Sequence, residues 1–89
     1  MSENWFFYIV RCNDNSFYSG ITNDIQSRVK AHNSGKGAKY TASRRPVKLV
    51  YREKHNNISS ARQREEQIKT WRREKKELLI NGFPRLRSE

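Results

Sequence analysis

Cysteine occurs once in this chain and histidine twice. Cys12 therefore has no internal disulfide partner, which suits a reducing compartment, and the three residues lack the spacing of a zinc site. Cys12 abuts a polar turn, where a small half-buried strand residue is its plainest role. No run approaches the ~20 apolar residues of a membrane span. The opening "MSENWFFYIV" carries Glu3 where a secretion signal needs positive charge. A soluble, cytoplasmic protein is expected, with no membrane partner and no small-molecule substrate. Repeats and low-complexity tracts are absent too. The 89 residues, 34% of them hydrophobic, leave no room for a second core, so one domain is expected over residues 1–89.

Acidic residues are scarce as well: nine, against nineteen lysines and arginines, for a formal net charge of +10. The surplus is uneven. Seven basic residues and no acidic one lie between Arg28 and Lys48, and such a stretch attracts polyanions, nucleic acid first among them. An anionic membrane surface needs an amphipathic helix with a bulky apolar face, which this stretch lacks. Lys36, Lys39, Arg44 and Arg45 are the candidate phosphate contacts.

What is present is aromatic and β-branched. "WFFYIVR" (5–11) and "SFYSGI" (16–21) flank the turn "NDN" and read as a β-hairpin. With Asn13, Asp14 and Asn15 as the loop, Tyr8 faces Gly20 and Val10 faces Tyr18. Both tyrosines then share a sheet face, whereas a two-residue loop would separate them. Gly20 leaves open space beside Tyr8. Thr22 or Asn23 caps a helical segment, "DIQSRVKAHNSG", with Asp24 in its first turn and Gly35 just beyond the helix end. There Arg28 and His32 lie one turn apart beside the Ile25–Val29 stripe. "SGKGAKYTASRRP" reads as a basic loop carrying Tyr40. "VKLVYREK" alternates Val47, Leu49 and Tyr51 as a third strand.

The longest helical pattern is "NNISSARQREEQIKTWRREKKELL", with Ile58, Ala61, Ile68 and Trp71 inward. Glu65 falls roughly 50° from that stripe and Glu66 about 150°, so of two adjacent glutamates only Glu65 points at the protein. Leu78, Leu79 and Ile80 continue or restart the helix before "NGFP". The fold class is α+β: a small antiparallel three-stranded sheet flanked by helices, in the order ββαβα with room for a short final helix.

In order and spacing these pieces resemble the GIY-YIG nucleases, and in particular their short stand-alone bacterial members of the YhbQ type. Phe7-Tyr8-Ile9 stands for the first half of the signature and Tyr18-Ser19-Gly20 for the second. "GITNDIQSRVKAHNSGKGAKYT" and "ARQREEQIK" carry the likeness further, from Trp5 to about Leu79. The resemblance implies an endonuclease that hydrolyses phosphodiester bonds with one divalent metal. It places Tyr8, Tyr18, Arg28, His32 and Tyr40 in the catalytic set and makes Glu65 the metal ligand. The family's C-terminal asparagine aligns loosely with Asn81. Two positions depart from the signature: its first glycine is Phe7, and its second isoleucine is Ser19. Strand alternation turns both away from the tyrosines.

The chemistry agrees. Phosphodiester hydrolysis needs an activated water and counter-charge for the phosphorane. Arg28 offers a bidentate fork. Glu65 is a hard oxygen ligand for one Mg²⁺ or Mn²⁺ ion, which keeps most of its waters. A phenol is only about 0.1% ionised at pH 7, so Tyr8 serves as a base only if Arg28, the metal or other cations lower its pKa. Taken singly, each residue has a plainer role: the tyrosines as cross-strand packing, Arg28 as a solvated charge, His32 as a cap, Glu65 as an ion pair with Lys69. Together they predict a nucleic-acid enzyme, with DNA the expected partner and a monomer the expected state. The alternative is a non-catalytic nucleic-acid-binding module. The enzyme reading places Tyr8, Tyr18, Arg28 and Glu65 on one concave, accessible face, with Glu66 outward.

Overall fold

The computed structural model describes residues 4–82. Strand β1 (Trp5–Arg11) turns into β2 (Phe17–Thr22) through a loop that the sequence dictates locally. The Asn15 amide donates to the Cys12 carbonyl, closing a turn, and Asn15 then takes a left-handed φ of 71°, a conformation asparagine tolerates. Asp14 Oδ1 accepts from the Ser16 amide at 3.0 Å and from its hydroxyl at 2.6 Å. These bonds fix the odd loop length, and the register follows: Tyr8 opposes Gly20 and Val10 opposes Tyr18.

Strand β3 (Lys48–His55) pairs antiparallel with the other edge of β1, for a sheet order β2-β1-β3. Central β1 is covered on both faces, and Phe7, Tyr8, Ile9 and Val10 are all buried. On one face Tyr8, Val10 and Cys12 pack with Ile25 and Val47, flanked by Tyr18, Val29 and Leu49. On the other Phe7 and Ile9 pack with Ile68, flanked by Tyr51, Trp71, Leu79 and Ile80. A bulge breaks the alternation expected for the third strand. Ile9 opposes Tyr51 while Val10 opposes Leu49, leaving Val50 as the extra residue. Leu49 therefore joins the first cluster and Tyr51 the second.

The helices correct several expected boundaries. Helix α1 (Ile25–Asn33) is capped by Asp24, whose carboxylate accepts from the Ser27 amide. Thr22 acts one step earlier, its Oγ1 accepting from the Asp24 amide. Within the stretch expected to be loop, Lys39–Ala42 forms one helical turn, α2. The long C-terminal pattern is two helices, α3 (Ile58–Lys69) and α4 (Arg73–Ile80), with Trp71 at the break. Ile58, expected inside, sits in the first turn of α3 and is 36% exposed. The Phe83-Pro84 stop lies outside the described residues. Asn81 is the C-cap of α4, its amide donating to the Glu77 carbonyl.

The room beside Gly20 is already taken. A Cβ added there would lie 2.6 Å from the Tyr8 hydroxyl and 2.9 Å from Cζ. Tyr8 is 2% exposed and has no free direction in which to yield. Gly20→Ala is therefore expected to destabilise the fold by about 1–3 kcal/mol, as overpacking does, read as a lower urea midpoint with the slope unchanged. A midpoint equal to wild type would show that the Tyr8 ring is not held where the structure puts it.

Candidate active site

Tyr8 projects from the middle of β1 onto the face covered by α1 and α2. The last turn of α1 brings His32 over it. His32 is fully buried rather than capping at the surface. Its Nε2 lies 2.9 Å from the Tyr8 hydroxyl and its Nδ1 lies 2.8 Å from Thr41 Oγ1. Counting protons orders this chain. The Tyr8 O–H has no acceptor but Nε2 among the described residues, and Thr41 has the Ala38 carbonyl for its own proton, so Nδ1 is the nitrogen that donates, to Thr41. Nε2 is then the bare acceptor for the Tyr8 O–H. The Tyr8 proton thus points at a neutral imidazole whose tautomer is set by α2.

The electrostatics keep that proton on the phenol at rest. Burial pushes the Tyr8 pKa up, Tyr18 and Glu65 push it the same way, and Arg28 opposes them. Arg28 acts in the direction expected of a cation, but desolvation outweighs it. Burial, and then Arg28, lower the His32 pKa, which preserves the neutral form. Tyr8 is also not on an accessible surface, contrary to expectation. It forms the floor of the site.

An aromatic ladder leads outward from this floor. The Tyr18 ring meets His32 edge-on at 5.3 Å, and Tyr40 stacks on Tyr18 at 5.9 Å and 19°. The Arg44 guanidinium lies 3.9 Å over Tyr40. Arg44 is itself pinned, donating to Asp14 at 3.1 Å and to the Tyr40 carbonyl at 2.8 Å. The hairpin turn thereby locks α2 in place. Arg45 donates to the Ala42 carbonyl, while Lys36 and Lys39 project freely into solvent.

Arg28 is exposed on α1, one turn before His32. Glu65 comes from α3, which packs on β1 and β2 from the opposite layer; its carboxylate is close enough to act on the Tyr8 phenol. Glu65 is half-buried and Glu66 exposed, in line with their helical phase. Among the described residues Glu65 makes no hydrogen bond and no ion pair, with Lys69 or any other cation. A bare, half-buried carboxylate within electrostatic reach of the Tyr8 phenol fits a single hard cation. No three His, Cys, Asp or Glu side chains cluster among the described residues.

Two residues of this site escape sequence reasoning. Thr41 supplies the second His32 partner. At Gly37 an added Cβ would lie only 2.8 Å from the His32 Cα, so the chain crosses His32 where no side chain fits. The Gly-Lys-Gly tripeptide is the available signal, and it reads equally well as an ordinary flexible turn.

Comparison with known proteins places this geometry. The family model for the GIY-YIG catalytic domain matches residues 4–78. The chain is 53% identical over 78 residues to a UPF0213 protein of Bacillus pumilus, covering 88% of this chain and 80% of that one. It is 53% identical over 79 residues to the UPF0213 protein YazA of Bacillus subtilis, with 89% and 80% coverage. Among solved structures it resembles the solution structure of the UPF0213 protein BH0048 of Bacillus halodurans, with TM-score 0.58, 42% identity and coverage of 88% and 83%. It also resembles the protein EF2693 of E. faecalis, with TM-score 0.62, 40% identity and coverage of 93% and 91%.

Proposed function

Because this chain belongs to the GIY-YIG catalytic domain family, a family of nucleases, we propose that it is an endonuclease hydrolysing phosphodiester bonds in nucleic acid, with DNA as its substrate class and one Mg²⁺ or Mn²⁺ ion as its cofactor. It acts as a cytoplasmic monomer. The observation that carries this reading is the Tyr8–His32–Thr41 relay set beside an unpaired Glu65 and an exposed Arg28.

Each residue has a task its position allows. His32 Nε2 receives the Tyr8 proton as the phenolic oxygen takes one from the attacking water, so no free phenolate has to exist beforehand. Thr41 holds the imidazole in the tautomer that permits this. Arg28 grips the non-bridging phosphate oxygens before and during attack. Tyr18 and Tyr40 line the approach and place the phosphate over the buried phenol. Glu65 would hold the ion, which when bound supplies Lewis-acid stabilisation of charge on the phosphate. Lys36, Lys39, Arg44 and Arg45 neutralise flanking phosphates, although Arg44 does so while clamped between Asp14 and Tyr40.

One observation favours the binding-module alternative. Tyr8 is 2% exposed, and a base needs access to its water. Incubation with branched, flapped, single-stranded and duplex DNA and RNA separates the readings. Cleavage of at least one substrate is expected with Mg²⁺ or Mn²⁺ and none in chelator. Tight binding with no cleavage of any substrate would leave the module.

A further inference from the structure

A groove along the free edge of β2 takes no part in the proton relay. Phe17, Tyr18 and Ser19 form its floor, Tyr40 of α2 one wall, and Lys69 and Lys76 of α3 and α4 the other, around about 320 Å³. No acidic side chain lines it. Neither lysine is engaged in an ion pair among the described residues, so both ammonium groups are available to an anion. The opposite wall is aromatic. Tyr40 is 39% exposed, yet its faces are shared with Tyr18 and Arg44, so an occupant meets its rim and hydroxyl. Cationic on one side and edged by the Tyr40 rim and hydroxyl on the other, the groove matches the phosphates and base edges of a nucleotide chain.

Size and position narrow the occupant. The volume stands at the low end of the roughly 300–1,000 Å³ range of small-ligand sites, enough for one nucleotide and less than a base pair fills. Tyr18 belongs both to this floor and to the ladder that ends on His32, so a strand in the groove runs directly into the site. Resting on the nuclease reading above, we infer that the groove holds the unpaired nucleotide next to the scissile phosphate, with Lys69 and Lys76 on its phosphates. The substrate class is therefore nucleic acid that is single-stranded at the point of cleavage. Ser19 stands where the family signature has isoleucine; on this floor, its small side chain leaves room that a branched one would fill.

Binding without turnover tests this. Fluorescence anisotropy in chelator compares a short oligothymidylate with a blunt duplex of equal length, for wild type and the double variant Lys69→Ala/Lys76→Ala. Both lysines reach solvent and neither supports the core, so the variant keeps its fold. The double variant is expected to lose about tenfold in affinity for the single strand, with a log–log salt slope shallower by about 1.4, the contribution of two single-strand phosphates. Its affinity for the duplex should fall less than about twofold. Equal losses on both ligands, a larger loss on the duplex, or no loss on either would overturn the groove and leave the nuclease reading standing. Failure of wild type to bind either ligand at low salt would instead remove the parent reading, and the groove with it.

Discussion

Glu65→Gln is expected to lower Mg²⁺- or Mn²⁺-dependent cleavage by about three orders of magnitude, a loss of roughly 4 kcal/mol of transition-state stabilisation. The amide keeps the shape of the side chain and removes the charge that makes it a hard ligand. Nucleic-acid binding should survive or tighten slightly, because one negative charge near the polyanion is gone. Glu66→Gln removes the same charge from the adjacent, solvent-facing position and should match wild type in both respects. The pair thus controls for net charge within a single helical turn. A readout independent of turnover is Mn²⁺ binding followed by electron paramagnetic resonance, lost in Glu65→Gln and kept in Glu66→Gln. Arg28→Ala should lose cleavage and some binding, since its fork meets phosphate in the ground state as well. Full activity in Glu65→Gln would end the single-carboxylate mechanism.

Residues whose position is set by local periodicity are legible in the sequence itself. Helical phase alone separates Glu65 from Glu66, and a three-residue loop stabilised by Asp14 and Asn15 is enough to put Tyr8 and Tyr18 on one face. Phe7, at the signature's first glycine, turns away from Tyr8 and lies fully buried in the opposite cluster, where a large ring adds apolar packing. The features that sequence reasoning misses depend on contacts distant along the chain. The extra residue Val50 follows from pairing with β1, and nothing in "VKLVYREK" marks it. The α2 turn has no side-chain cap and only four residues, too few for any apolar period. The burial of His32 needs Tyr8 from 24 residues earlier and Thr41 from 9 later. Its helix alone suggests a half-exposed position.

That burial makes His32 sensitive to acid. Burial and Arg28 hold its pKa below the ordinary 6.5, while Tyr8 and Thr41 use both ring nitrogens. The unfolded chain therefore takes up a proton at higher pH than the folded one. The stability tied to the neutral ring is complete above pH 6.5 and is lost as pH falls from there through the folded-state value. The same protonation occupies Nε2, so it leaves nowhere for the Tyr8 proton to go. Cleavage and stability should decline together on the acid side of neutrality. His32→Ala should cost about 2–4 kcal/mol, since it opens a cavity and strands the buried Tyr8 and Thr41 hydroxyls, and should abolish cleavage. His32→Gln is the informative partner, because it fills much of the space and cannot titrate. Urea midpoints measured from neutral to acidic pH should fall for wild type more steeply than for His32→Gln, the difference isolating this ring from Glu53, Asp14 and the other carboxylates. Thr41→Val, which removes the tautomer-setting acceptor and keeps the bulk, should slow cleavage with a smaller loss of stability than His32→Ala. Parallel pH curves for wild type and His32→Gln, or undiminished cleavage by His32→Gln, would show that the ring is packing and carries no proton.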